Sequence, residues 1–165
     1  MADAAPRPPH DGKERIFLVV VDSTEEHHKA LRFASLRARN TGGRVALLYV
    51  IEPAEFQHWM AVENLMKEER RQEAETLLQS ISSEVQTLSG LTPVFFLREG
   101  NLRDELLKLI DEEKGISILV LAAGTDNKGP GPLVTQLAGK QSGSLRIPVT
   151  IVPGNLSDDE IDSLT

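Results

Sequence analysis

The chain contains no cysteine. Disulfide staples, thiolate nucleophiles and cysteine-bearing zinc sites are therefore excluded, and the composition is compatible with a reducing compartment. Aromatic side chains are scarce, at 4% of residues, so a core must be assembled from Leu, Val, Ile and Ala. A surplus of positive charge is also missing: 18 basic residues stand against 25 acidic ones, a formal net charge of −7. With no basic stripe, the electrostatic signature of a nucleic-acid binder is lacking. No apolar run approaches the roughly 20 residues that span a bilayer. The N-terminal stretch lacks the basic-then-apolar pattern of a secretory signal. Nucleic acid and membrane are thus not expected as partners, and the cytoplasm is the expected location.

The 165 residues that remain to be explained suit one domain with a substantial core. Residues 1–13 carry three prolines and no apolar periodicity, which predicts a disordered leader. Residues 155–165 hold Asp158, Asp159, Glu160 and Asp162 and read as an acidic tail. Between them, residues 14–154 alternate two kinds of pattern. Continuous apolar runs rich in β-branched residues, at Ile16–Val21, Val45–Ile51, Val94–Leu97, Ile118–Ala122 and Val149–Val152, suit strands buried on both faces. Stretches with apolar residues three and four apart follow each of the first four, the longest from Val62 to Leu88 and the last from about Leu133 to Gln141. Ser23 and Glu26 have the spacing of a capping box opening the first helix, and Asn101 is a suitable N-cap for the third. The alternation predicts an α/β fold: a parallel five-stranded sheet with helices on both faces and right-handed crossovers.

One stretch departs from plain alternation. The apolar run ending at Ala122–Ala123 stops at Gly124, and a loop with Lys128, Gly129, Pro130, Gly131 and Pro132 leads into the next helical pattern. Strand, glycine loop and helix start form an arrangement that places backbone N–H groups around a phosphate, although glycine-rich turns also serve as simple punctuation. A small-molecule site is expected here. Thr125, Lys128 and Thr135 offer donors to an anion, and Gly129 and Gly131 offer backbone approach.

Taken in order, Phe17 to Ser23, Leu47 to Pro53, Arg98 to Asn101, Ile118 to Gly124 and Ile147 to Val152 resemble the universal stress protein domain family. The resemblance covers about Arg15 to Pro153. It implies strand order 3-2-1-4-5, an adenine nucleotide alpha hydrolase-like architecture, with the order reversing between the first and fourth strands. Open α/β sheets bind ligands at such a switch point. Asp22 ends the first strand and Gly124 the fourth, so both border that crevice. The resemblance further implies ATP as a candidate ligand, with Asp22 and the neighbouring Ser23 on the adenosine side and Val50 and Ile51 as an adenine-side wall. Its ATP-binding members carry Gly, two residues, Gly, nine residues, then Gly and Ser or Thr. Here Gly124 matches the first glycine, Asn127 stands at the second, and Thr135-Gln136 fall at the Gly-Ser position in a shortened loop. A retained nucleotide site and a lost one are therefore both open. The family also implies a homodimer paired through the Val149–Val152 edge strand.

Catalytic residues are not expected. Gly143-Ser144 lacks the flanks of a nucleophile elbow, and the dinucleotide-binding glycine fingerprint is absent. His27 and His28 follow two glutamates, but neighbours on a helix do not face each other, so no metal site is expected. His10 and His58 lie in irregular stretches. The leading expectation is a non-catalytic stress-response or signalling module. Its rivals are a slow ATP hydrolase or nucleotidyl-transfer relative, with Asp22 and Asp126 as magnesium contacts, and a nucleotide-independent adaptor docking a protein through the acidic tail or the charged Val62–Leu88 helix.

Overall fold

The computed structural model describes residues 5–8, 13–22, 24–53 and 60–165, with residues 60–64 described by backbone alone. Most of the expected leader, Ser23, Phe56, His58 and Trp59 lie outside the described residues. Elements follow as β1 (Ile16–Val20), α1 (His27–Thr41), β2 (Arg44–Ile51), α2 (Met60–Ser89) and β3 (Val94–Glu99). Then come α3 (Leu102–Glu112), β4 (Ile116–Ala123), α4 (Pro132–Ala138), a 3-10 turn at Ser142–Ser144, β5 (Val149–Pro153) and α5 (Asp158–Leu164). The five strands form one parallel sheet in the order β3-β2-β1-β4-β5.

Burial follows from the two-residue period of a strand. In β1, Phe17 and Val19 point to one side and Leu18 to the other, and all three are buried. The first side packs against α1, α2 and α5 through Leu31, Ala34, Ile81, Val85 and Ile161. The second packs against α3 and α4 through Leu106, Leu109, Ile110 and Leu137. Each face of the sheet thus has its own apolar layer, which is why the central strand β1 has no polar position. Among the described residues no helix is long and apolar enough to cross a membrane.

Helix ends obey their local chemistry. Gly42 takes φ 74° after α1, where the Gly43 N–H donates to the Ala38 carbonyl at 2.8 Å. Asn101 caps α3, its side chain accepting from the Asp104 N–H at 3.1 Å. At the other end of α3, the Arg146 guanidinium donates to the carbonyls of Ile110 and Glu113, acceptors the helix end leaves open, and to that of Ile116 at the start of β4.

Two expectations are corrected. Glu26 is not the third residue of a capped helix: it occupies the N-cap position of α1 with helical backbone angles and no side-chain cap bond. The fourth helix stops at Ala138 rather than Gln141, because Gly139 leaves helical geometry and a 3-10 turn follows. The acidic tail is largely helical. Ser157 and Glu160 form a reciprocal capping box, and Ile161 is fully buried in the core beside α1. One apolar anchor and an N-terminal excess of acid, favourable to the helix dipole, account for a helix in so charged a stretch.

Candidate functional site

The strand order places the C-terminal ends of β1 and β4 side by side, with the connections leaving them toward opposite faces of the sheet. A cavity of about 630 Å³ opens there. Its apolar floor comes from Val20, Val120 and Leu121, with Ala30 and Leu133 among the helical contributors. Its polar wall carries Asp22, Glu26, His27, Asp126, Lys128 and Thr135.

On the β1 side, the chain turns sharply after Asp22. The Asp22 carboxylate accepts from the Thr24 N–H at 2.8 Å and from the Thr24 hydroxyl at 2.5 Å, a local bond typical of aspartate in turns. The Thr24 carbonyl then accepts from His27 Nδ1 at 2.6 Å. A carbonyl has no proton to give, so Nδ1 carries the hydrogen, and in the neutral ring Nε2 is left as an acceptor. The His27 side chain is only 7% exposed, and Nε2 has no hydrogen-bond partner among the described residues. The His27 and His28 rings, which helix spacing would set apart, lie with centroids 4.1 Å apart.

Glu26 crosses the crevice. A Cβ on Gly154 would stand 2.9 Å from Glu26 Cγ, and one on Gly124 would stand 3.0 Å from Glu26 Oε1. The side chain therefore runs from the start of α1 over the ends of β5 and β4. The same Gly124 position meets the Gly129 carbonyl at 3.0 Å, so any side chain there would collide with the folded-back loop.

That loop closes on itself. The Gly124 N–H donates to the Pro130 carbonyl at 3.0 Å, the Lys128 N–H to Asp126 Oδ1 at 2.8 Å, and the Gly129 N–H to the Asp126 carbonyl at 3.2 Å. Gly129 and Gly131 take φ of 88° and 107°, which only glycine adopts without strain. The Thr135 hydroxyl turns back to the Gly131 carbonyl at 2.9 Å.

Of the residues expected at the site, Asp22, Gly124, Lys128, Gly129, Gly131 and Thr135 line the cavity. Ser23 lies outside the described residues. Thr125 and Val50 are not on the wall. Val50 sits on β2, beyond β1, beside Arg98 of β3, and packs into the layer under α3. Sequence reasoning passed over His27 and Glu26. Their signal was position: both lie where α1 begins, just after a strand ending at the switch point.

The universal stress protein family matches residues 14–153 of the chain. No curated protein matches it. Similar solved structures include the universal stress protein UspA from Lactobacillus plantarum, at 17% identity and TM-score 0.68, covering 85% of this chain and 98% of that one. Another is the universal stress protein from Archaeoglobus fulgidus in complex with dAMP, at 18% identity and TM-score 0.58, covering 84% and 97%. A third is a universal stress protein in complex with cAMP, at 16% identity and TM-score 0.59, covering 87% and 99%. At these identities the structural likeness speaks to the fold.

Proposed function

The chain belongs to the universal stress protein family, and from that premise we propose that it is a non-catalytic stress-response or signalling module holding an adenine nucleotide, or its nucleoside part, between β1 and β4. The observation that carries this reading is the cavity at the switch point, where an apolar floor of Val20, Val120 and Leu121 meets a wall of polar side chains. The cavity's volume lies in the range of small-molecule sites, about 300–1,000 Å³. Relatives of the same fold were solved with dAMP and with cAMP. Both described hydroxyls on the wall are engaged, Thr135 on the Gly131 carbonyl and Thr24 on the Asp22 carboxylate, and the phosphate-release arm of the test below separates signalling from hydrolysis.

The module works as a pair in this reading. β5 is an edge strand, Ile151 on it is 37% exposed, and an apolar edge that is left uncovered is a liability. A second copy adding its own β5 covers it.

Thermal melting with adenosine, AMP and ATP tests the site. A ligand bound only by the folded chain raises the melting temperature by mass action. An upward shift with at least one of the three is expected, and no shift with any of them at millimolar concentration refutes the reading. Release of phosphate from ATP above the buffer control would favour the hydrolase instead.

A further inference from the structure

We propose that Glu26 is a charge gate that makes the cavity select a nucleoside over a nucleotide polyphosphate. This rests on the site reading above and names the ligand class within it.

The first ground is where the carboxylate lies. Glu26 Oε1 stands against Gly124, the residue at which the strand gives way to the glycine loop, and its stem crosses Gly154. A phosphate approaching the loop from the cavity meets this carboxylate. Two further carboxylates, Asp22 and Asp126, share the wall with a single ammonium, Lys128. No ion pair joins Lys128 to Glu26 among the described residues. Like charges a few ångströms apart in a partly buried site repel far more than they do in water.

The second ground is the supply of donors. Phosphate binding at a glycine loop needs free backbone N–H groups. Those of Gly124, Lys128 and Gly129 are taken by the loop's own acceptors, and Pro130 and Pro132 have none to give, so the supply narrows to the few N–H groups around the start of α4. What the side chains of the wall present is mostly acceptors: the Asp22, Glu26 and Asp126 carboxylates. An uncharged ligand rich in hydroxyl and amino donors satisfies them, and a nucleoside carries both on a flat apolar body that suits the Val20, Val120 and Leu121 floor.

Titration calorimetry of the full chain with adenosine, AMP and ATP, in EDTA, reads the selectivity. For the natural sequence adenosine is expected to bind at least about tenfold more tightly than ATP, with AMP between them. In E26Q, which keeps the shape and removes the charge, the adenosine-to-ATP ratio is expected to fall about tenfold. E26A is the second variant. A fall in E26A without one in E26Q assigns the discrimination to bulk and overturns the charge gate, as does an unchanged ratio in both. ATP binding as tightly as adenosine to the natural chain overturns the gate while leaving the site reading intact. Binding of none of the three ligands overturns both. The ligand series on the natural chain decides the matter even where a variant fails to fold.

Discussion

The Arg32 guanidinium on α1 and the Asp162 carboxylate on α5 meet as a fork, with Nε to Oδ1 at 2.7 Å and Nη2 to Oδ2 at 2.8 Å. The hydrogen bond from Arg32 holds the Asp162 carboxyl below its ordinary range, and the bond to Asp162 raises Arg32 in turn. Both side chains are largely shielded, at 27% and 19% exposure, so the pair retains part of its strength against solvent.

The sign of the resulting pH dependence is fixed. A carboxyl whose folded value is depressed contributes stability above the unfolded value, near 3.9, and loses it as pH falls through the folded value. Asp162→Asn is expected to cost about 1 kcal/mol at pH 7. The gap between variant and natural chain should close as pH drops below about 4. Urea melts at both pH values measure it, and an equal gap at each would contradict the assignment.

Ile161 carries the apolar half of the same contact, with no exposed surface. Ile161→Ala should lower stability by about 2–4 kcal/mol. Hydrogen exchange should quicken in residues 158–164 well before the sheet opens. A solvated tail would lose nothing, so a neutral result would refute the docking of α5.

Gly154 has no room for a side chain: a Cβ there would lie 2.6 Å from the Ala123 carbonyl oxygen, a backbone atom that cannot step aside. Gly154→Ala is expected to destabilise by about 1–3 kcal/mol. Gly143→Ala, where a Cβ meets nothing within 4 Å, should stay within about 0.5 kcal/mol of the natural chain. Comparable losses for the two would show that crowding is not the cause.

The proposed pairing through β5 is tested at Ile151. Placing a lysine there adds charge to an edge that two copies would share. Ile151→Lys should sediment as a monomer with an unchanged circular dichroism spectrum, while the natural chain sediments as a dimer. A natural chain that remains monomeric at high concentration would remove the pairing.

Much of this architecture was legible in the residues. Phe17 to Val20 and Ile118 to Leu121 admit hardly any environment but a strand covered on both sides, and five such runs separated by amphipathic stretches leave few topologies. Asn101 announced its helix by side-chain chemistry alone. Other features were hidden because one residue type serves two purposes. Glu26, three places after Ser23, has the spacing of a helix cap, and nothing local says that its carboxylate reaches Gly124, 98 positions later. The family resemblance set Val50 on the adenine side, but it lies in β2, beyond β1, and is not on the cavity wall, a placement that depends on strand order and not on any local pattern. The α5 segment was masked by its acids, since a single buried isoleucine among four carboxylates leaves almost no periodic signal.

The strand order has a consequence for synthesis. β1 emerges first, and β2 and β3 can add to one of its edges in turn, but its other edge pairs with β4, where Ile16 meets Ile116. About a hundred residues must be made before that edge closes. A nascent chain halted earlier exposes the apolar edge of what becomes the middle of the sheet, the template most prone to wrong pairing. Asp22 and Gly124 become neighbours only with the second half of the chain, so the ligand crevice is among the last parts of the molecule to exist on the ribosome.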